Sequence, residues 1–272
     1  MTNSVWFHTA MGAVLLLSAS GCGESPEPGV AAPLVIGTDA TYPPFEFVDE
    51  DGEISGISAE LGKEIGRALG RPVEFRNINF EGLITALRTG SLDLIISSMT
   101  ANDERRQSID FSDPYVKTGL SILAGKDSPV KTAKDLDLDG LRVAVRLGTT
   151  GEMWVKDHLP NAVVVRLDTD AACVLEVVNG TVDAWIYDQI SIMNYHAQHE
   201  SQTRAILEPL REEVWAIGLR KGRDELKTKV NAALADFRSS GGFGRLAEKY
   251  LEKERGLMEG MNIPFVFDVD PE

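Results

Sequence analysis

Residues 80–115 read FEGLITALRTGSLDLIISSMTANDERRQSIDFSDPY, and the alternation within this stretch decides the fold class. The first part, FEGLITALRTG, has the apolar spacing of a short helix that ends at Gly90. An apolar run, LDLIISS at 92–98, follows at once and predicts a buried strand. A short helix joined directly to a buried strand is typical of a parallel α/β sheet.

The same alternation continues in both directions along the chain. Upstream, apolar residues recur every four positions from Ile57 to Leu69 and predict a helix between the strands LVIGT (34–38) and VEFRNI (73–78). Downstream, further strands are predicted at RVAVR (142–146), AVVVRL (162–167), AWIYD (184–188), RAILE (204–208) and VWAIGLR (214–220). Two similar α/β units without a long linker predict two lobes.

Two segments are candidates for strands that cross between the lobes, namely TGLSILAG (118–125) and EPLREEVWAIGL (208–219). Such a crossing would return the C-terminal helices to the first lobe. The spacing of the elements alone leaves the crossing open.

The composition is that of a globular protein with an acidic surface. Of the 272 residues, 43% are hydrophobic and 25% are charged, and the formal net charge is −15 at pH 7. A polyanion is repelled by phosphate backbones, which argues against a nucleic-acid partner. No G-x-G-x-x-G, P-loop or G-x-S-x-G motif occurs in the sequence. We therefore expect no cofactor and no metal.

The N-terminus predicts export. AMGAVLLLSAS at 10–20 is an apolar run of signal-peptide length that ends in small residues before Cys22. This order resembles a bacterial lipoprotein signal, with residues 1–21 as the signal peptide, Cys22 as the lipidated residue and residues 22–33 as a flexible tether. The alternative is an ordinary secretory signal. We expect a protein of the periplasm or cell surface that is anchored to the membrane by lipid.

Short polar phrases follow the predicted strands, where ligands of open α/β sheets bind. A free amino acid needs an arginine and helix N-terminal N–H groups for its carboxylate, which suits Arg105 and the GTT phrase at 148–150. Its ammonium needs a carboxylate and hydroxyl groups, which suits Asp188, Ser98 and Thr100. Each residue also has a plainer interpretation: Arg105 as a solvated turn residue, and Asp188 as a helix N-cap.

Longer phrases identify a family. IGTDATYPPFEFVDEDGEISGISAELGKEIGRALG, NFEGLITALRTGSLDLIISSMTANDERRQSIDFSDPY, RVAVRLGTTGE and GTVDAWIYD occur in this order. Together they resemble the polar-amino-acid-binding proteins of ABC importers, bacterial solute-binding protein family 3, over residues 34–254. The D-E-R…D-F-S-D-P-Y phrase is the most specific part of the resemblance.

The resemblance implies a two-lobed periplasmic-binding-protein fold of type II. In this α/β fold each lobe is a mainly parallel sheet flanked by helices, and two crossing strands join the lobes. The first lobe would comprise residues 34–117 and 213–256, and the second residues 118–212. Residues 257–272 would form a C-terminal tail without a counterpart.

The resemblance also implies roles for single residues. Arg105 would clamp the ligand carboxylate, and Asp188 would bind the ammonium. Tyr42 and Phe80 would sandwich the ligand side chain. The full expected ligand-binding set is Asp39, Tyr42, Phe80, Ser98, Met99, Thr100, Arg105, Arg146, Thr149, Thr150 and Asp188.

Asp39 and Arg146 would decide which side chain is bound. An acceptor next to a donor group suits a side-chain amide, so glutamine is the favoured ligand. A cationic amino acid is second, because it would face Arg146 unfavourably unless Asp39 neutralises that charge.

The implied activity is transport rather than catalysis. A monomer would close around one amino acid by a hinge motion and deliver it to the permease of an ABC importer. Two alternatives remain: a cyclohexadienyl dehydratase, which shares the fold and would need an acid such as Asp39 or Glu152 facing the substrate, and the ligand-binding component of a sensor.

Overall fold

The computed structural model describes Met1 and residues 31–268. Apart from Met1, the predicted signal peptide lies outside the described residues, as do Cys22 and most of the predicted tether. Within the described part of the chain, no helix is long and apolar enough to cross a membrane.

The elements alternate as the sequence predicts. The strands are β1 (Leu34–Thr38), β2 (Thr41–Tyr42), β3 (Glu46–Val48), β4 (Ile54–Ser55), β5 (Val73–Asn77), β6 (Leu94–Ile95), β7 (Asp110–Gly125), β8 (Arg142–Arg146), β9 (Val163–Leu167), β10 (Ala184–Asp188) and β11 (Thr203–Leu219). The helices are α1 (Ile57–Leu69), α2 (Phe80–Thr89), α3 (Asp103–Arg106), α4 (Thr150–His158), α5 (Asp170–Val178), α6 (Gln189–Gln198), α7 (Asp224–Ser239), α8 (Gly242–Tyr250) and α9 (Glu252–Gly260), with a short 3₁₀ helix at Ala133–Asp137.

Eight of the described strands form one sheet in the order β5-β1-β6-β11-β7-β10-β8-β9. At one end β5, β1 and β6 are parallel, and at the other end β10, β8 and β9 are parallel. Between them β7 and β11 run antiparallel to each other and join the two ends. We call the part built on β5, β1 and β6 the first lobe, and the part built on β10, β8 and β9 the second lobe. The predicted two-lobed α/β fold with two crossing strands is confirmed.

The crossing strands are longer than the sequence indicates. RAILE and VWAIGLR, which were expected to be separate strands, belong to one strand, β11. Its pairing with β7 shifts between Ile206 and Arg211, and this irregularity absorbs the intervening Pro209. Conversely, β6 spans only Leu94–Ile95 of the predicted strand at 92–98. Three residues after the strand, Ser98 has a left-handed backbone conformation with φ of 45°.

Helices cover the sheet through their apolar faces. Helix α1 buries Ile57, Leu61 and Ile65 in the same core as Leu34 and Ile36 of β1. The helix ends at Gly70, whose φ of 64° is a left-handed conformation that glycine adopts without strain. Leu83 and Leu87 of α2 pack in a second cluster beside β6. This packing holds the carboxyl ends of β1 and β6 side by side.

The C-terminal segment packs on the crossing strands. Helix α9 was not predicted, and the chain after it runs back to β7, where the Lys117 N–H donates to the Val266 carbonyl at 2.8 Å. Val266 is buried, and the Phe267 ring packs 5.0 Å from that of Phe243. The described part of the predicted tail is therefore integrated into the core.

Candidate functional site

One small cavity, with about 20 Å³ of space for the centre of a water molecule, lies where the carboxyl ends of β1, β6, β8 and β10 meet. Both lobes contribute to its wall. The lining residues are Asp39, Tyr42, Glu46, Phe80, Ser97, Ser98, Thr100, Arg105, Arg146, Thr149, Thr150, Tyr187 and Asp188. Every residue of the expected ligand-binding set except Met99 lines this cavity.

The side chain of Met99 lies elsewhere. It is fully buried in the apolar cluster that contains Leu83 and Phe111, and its backbone carbonyl accepts a hydrogen bond from the Ala216 N–H at 3.1 Å. Met99 therefore belongs to the core beneath the cavity. The expected part of Met99 in ligand binding stays a prediction, and its buried side chain leaves only its backbone for that part.

Arg105 lies inside the cavity wall. Only 4% of the residue is exposed, and Asn102 caps the short helix α3 by accepting from the Arg105 backbone N–H at 2.8 Å. The guanidinium donates to the Thr100 carbonyl at 2.9 Å and, across the cleft, to the Gly148 carbonyl at 3.0 Å. Burial lowers the pKa of Arg105 to about 10, so the group remains a cation at neutral pH.

The N-terminus of α4 faces the same cavity from the second lobe. Thr149 is the N-cap residue, but its hydroxyl donates to the Arg146 carbonyl at 2.7 Å, and it makes no capping hydrogen bond. The first-turn N–H groups thus have no side-chain cap. Gly148, with φ of 72°, approaches α2 so closely that a Cβ would lie 3.1 Å from the Cβ of Glu81. Arg105 and these N–H groups are complementary to one carboxylate.

Asp188 supplies a buried carboxyl group. It precedes α6 but makes no side-chain cap to that helix, so the plainer interpretation of Asp188 as an N-cap does not hold. Its Oδ1 atom is buried and has no hydrogen-bond partner among the described residues. Burial raises the pKa of Asp188 well above its usual range, and the nearby Glu213 carboxylate adds to the rise. A cation delivered to Asp188 would offset this penalty.

Glu213 joins the two lobes and was missed from the sequence. Its Oε2 atom accepts hydrogen bonds from the Thr100 hydroxyl of the first lobe and the Thr150 hydroxyl of the second, each at 2.8 Å. Its Oε1 atom accepts from Arg211 at 2.6 Å. Glu213 lies in crossing strand β11, in the charged run REE, where no pattern distinguishes a buried acid from an exposed one.

Arg146 uses all its donors within the protein. Its guanidinium carries five N–H groups. The two on Nη2 face Asp39 Oδ2 at 2.6 Å and the Thr41 hydroxyl at 3.0 Å. The two on Nη1 face Asp170 Oδ1 at 2.9 Å and the Tyr187 hydroxyl at 3.2 Å, and Nε donates to the Asp168 carbonyl at 3.3 Å. The sequence-based argument for glutamine assumed that Arg146 offers donors to the ligand, and this arrangement leaves none.

Asp39 is held from several sides. Its Oδ2 atom accepts from the Phe80 N–H at 2.9 Å as well as from Arg146, and its Oδ1 atom accepts from the Thr41 hydroxyl at 2.8 Å. The Asp39 N–H donates to the Ser97 hydroxyl at 2.9 Å. The carboxylate therefore occupies one position in the cavity wall, where Oδ1 can still accept from a ligand.

Glu46 is a further residue that sequence reasoning missed. It is 1% exposed, lines the cavity, and accepts hydrogen bonds at Oε2 from the Ser58 hydroxyl at 2.7 Å and the Ser98 hydroxyl at 3.0 Å. Burial raises its pKa to about 8. The alternation in FEFV places Glu46 opposite its two phenylalanine neighbours, and that pattern is typical of an exposed acid rather than a buried one.

Aromatic side chains form the apolar part of the wall. The Tyr42 ring packs 6.0 Å from that of Tyr187 and 5.8 Å from that of Trp215, centroid to centroid. The Phe80 ring lies 5.3 Å from the Arg105 guanidinium carbon. Tyr42 and Phe80 both line the cavity, and whether they sandwich a ligand side chain stays a prediction.

In the part of the chain that the structure describes, no group of His, Cys, Asp and Glu side chains is arranged to hold a metal ion. The cavity wall consists of buried ionisable groups, hydrogen-bonding groups and aromatic side chains.

Comparison with known proteins agrees with this geometry. The family model described as bacterial extracellular solute-binding proteins, family 3, matches residues 34–253. An L-cystine-binding protein of Escherichia coli (strain K12) is 29% identical over 219 residues, which cover 80% of this chain and 82% of the relative. An arginine-binding extracellular protein of Bacillus subtilis (strain 168) is 31% identical over 256 residues, covering 92% of this chain and 99% of the relative.

A solved structure shares the fold. An ancestral arginine-binding protein bound to glutamine superposes with a TM-score of 0.74 and 35% identity, covering 82% of this chain and 99% of that one. The names of these proteins refer to three different amino acids, so the similarity indicates the class of ligand but not its side chain.

Proposed function

We propose that this chain, which belongs to the bacterial extracellular solute-binding proteins of family 3, binds one L-amino acid through Arg105 and Asp188 and delivers it to an ABC importer. Two further relatives carry names that place them in transport: an ABC transporter arginine-binding protein of Escherichia coli (strain K12) and an ABC transporter glutamine-binding protein of Bacillus subtilis (strain 168). The observation that carries the proposal is the position of Arg105 and Asp188. They are buried ionisable groups from opposite lobes, and they face one cavity.

The carboxylate of the ligand would lie between Arg105 and the start of α4. Bidentate donation from a guanidinium and from helix N-terminal N–H groups is the strongest arrangement that proteins use for this group. The contact from Arg105 to the Gly148 carbonyl already spans the cleft. A bound carboxylate would be held by both lobes at once.

The ammonium would lie at Asp188, near Thr100 and Ser98. Asp188 Oδ1 has no partner among the described residues, and an ammonium group would supply one. The cation would also lower the pKa of Asp188 toward its ordinary value, because the charged form of the carboxyl would then be stabilised.

The side chain of the ligand would extend toward Asp39 and Arg146. Since the donors of Arg146 are occupied, this end of the cavity offers acceptors, chiefly Asp39 Oδ1. Asp39 and Asp170 both pair with Arg146, so its charge is neutralised and does not oppose a cationic ligand. We propose a cationic amino acid such as arginine first, and glutamine, which the sequence favours, second.

Ligand binding would drive hinge closure. Residues 34–117 with 213–256 would move as one lobe and residues 118–212 as the other, with the bending confined to β7 and β11. Because the ligand contacts both lobes, it stabilises the closed form by its differential affinity for that form. The closed form would then dock on the permease.

The test is thermal unfolding of the purified protein against each L-amino acid at about 1 mM. A ligand of micromolar affinity stabilises the folded protein by about 4 kcal/mol, which should raise the Tm by roughly 8–16 °C for a chain of this size.

A large shift with arginine or lysine supports the assignment of Asp39 as an acceptor. A shift with glutamine alone would contradict the proposed preference for a cationic amino acid and favour the sequence-based choice. No shift with any amino acid, after bound ligand has been removed by unfolding and refolding, would contradict the function, and prephenate and arogenate would then be tested for dehydration.

We also propose that Cys22 is lipidated, because of the small residues that precede it after the apolar run. Cys22→Ser should move the protein from the membrane fraction to the soluble fraction of the producing cell, while ligand binding stays unchanged. Cys173→Ser is the matched control, because Cys173 is buried in the core and should not affect partitioning. Membrane association that persists in Cys22→Ser would contradict lipidation.

A further inference from the structure

Ser98 has a backbone conformation that is costly for its residue type. Apart from Asn262, it is the only non-glycine residue with a positive φ among the described residues, and its φ is 45°. The left-handed conformation costs an L-residue free energy that glycine does not lose, because Cβ approaches the carbonyl oxygen. A residue holds it only where the surroundings compensate, and such positions concentrate at functional sites.

The conformation changes which side chains reach the cavity. In an extended strand, successive side chains point to opposite faces. Ser97 and Ser98 nevertheless both line the cavity, followed by Thr100. Ser97 accepts the N–H of Asp39, and the Thr100 carbonyl accepts from Arg105. The turn at Ser98 therefore sets the positions of groups at both ends of the ligand.

Glu46 is the side-chain hydrogen-bond partner of Ser98. Its Oε2 atom accepts from the Ser98 hydroxyl at 3.0 Å, and the same atom is tied to helix α1 through the Ser58 hydroxyl at 2.7 Å. The three side chains come from β3, α1 and the segment that follows β6, so the contact fixes Ser98 relative to the core of the first lobe. The Ser98 hydroxyl is thereby directed at Glu46.

We propose that Glu46 is a positioning residue that holds Ser98 in the left-handed conformation, so that the Ser98 backbone and the Thr100 that follows it face the ligand. This role rests on the proposed amino-acid site. It reassigns the Ser98 hydroxyl from a direct contact with the ligand ammonium to a structural hydrogen bond. It also makes Glu46 necessary for affinity although Glu46 itself need not contact the ligand.

The test is a double-mutant cycle on ligand affinity, using the amino acid that gives the largest thermal shift. Glu46→Met keeps the volume of the side chain and removes the strong acceptor. When residue 98 is serine, Glu46→Met is expected to weaken ligand binding about five- to tenfold, which is the effect expected from losing one buried hydrogen bond. In the Ser98→Gly background the same change should weaken binding less than about twofold, because glycine adopts the conformation unaided.

Two further variants keep the test decisive. Ser98→Gly should bind at least about threefold more tightly than Ser98→Ala, although both lack the hydroxyl. Glu46→Gln retains an acceptor and should recover most of the affinity that Glu46→Met loses. Should Glu46→Met fail to fold, the comparison of Ser98→Gly with Ser98→Ala and the Glu46→Gln measurement still apply.

Three results would overturn the proposal. Equal weakening by Ser98→Ala and Ser98→Gly would mean that the hydroxyl itself contacts the ligand. The same effect of Glu46→Met in both backgrounds would mean that Glu46 contacts the ligand or acts only on stability. An unchanged affinity in Glu46→Met would remove its role. Each result leaves the Arg105 and Asp188 site intact, whereas failure of the proposed function would appear as no amino-acid binding by the unmodified protein.

Discussion

Replacing Arg105 with alanine should weaken amino-acid binding by at least about a hundredfold. The guanidinium is buried, remains a cation at neutral pH, and is directed at the cavity between the Thr100 and Gly148 carbonyls. Two charge-assisted hydrogen bonds to a carboxylate contribute about 1.5–3 kcal/mol each, so the loss of both exceeds the hundredfold threshold. Isothermal titration calorimetry with the preferred amino acid measures the change.

The adjacent arginine is the matched control. Arg106 has the same charge and lies in the same helix, but it is exposed and packs over the Phe111 ring at 5.3 Å. Arg106→Ala should bind the ligand like the unmodified protein. Arg105→Lys keeps the charge but not the planar fork and should bind with intermediate affinity. Near-normal affinity in Arg105→Ala would remove this residue from the site.

The second large effect is expected on stability rather than on binding. Arg146→Met should lower the free energy of unfolding of the ligand-free protein by about 3–5 kcal/mol, because it leaves the carboxylates of Asp39 and Asp170 buried without a cation. Denaturant unfolding measures the loss. Adding Asp170→Asn to Arg146→Met should recover part of it, because one of the two uncompensated charges is then removed.

Arg142 provides the control on the same strand. It pairs with Asp183 at 3.5 Å, but its side chain is 45% exposed. An exposed pair of this kind contributes about 0–1 kcal/mol, so Arg142→Met should cost less than about 1 kcal/mol. Equal losses in Arg142→Met and Arg146→Met would contradict the argument that burial determines the effect.

The loss in Arg146→Met should depend on pH. Burial raises the pKa of Asp170 to about 6, and the charge of Arg146 and its hydrogen bond oppose that rise, so removing Arg146 raises the pKa further. Asp39 and Tyr187 also face this carboxyl group.

A folded-state pKa above the unfolded value stabilises the protein at low pH, and this contribution is lost as the pH rises through the folded pKa. The variant should therefore be less destabilised at about pH 5 than at about pH 8. An equal deficit at both pH values would mean that Asp170 is not left charged.

The sequence by itself determined the fold class and predicted most of the residues that line the cavity. Helical and strand periodicities are local, so the alternation around residues 80–98 and 142–188 is enough to predict parallel α/β lobes. The carboxyl ends of neighbouring parallel strands meet at one edge, so the strand pattern alone predicts that Asp39, Thr100 and Asp188 lie at the same cavity.

Only the tertiary structure decided how those groups are paired. Asp39 and Arg146 lie 107 residues apart in the sequence. Whether the Arg146 guanidinium can donate to a ligand depends on which protein groups accept its other N–H groups. In the structure these acceptors are Asp170, Thr41, Tyr187 and the Asp168 carbonyl. The local sequence pattern of apolar and polar residues could not show that Glu46 and Glu213 are buried either. An acid is kept inside only by hydroxyl and guanidinium donors that distant segments bring to it, and these donors are specified by the packing of the lobes rather than by neighbouring residues.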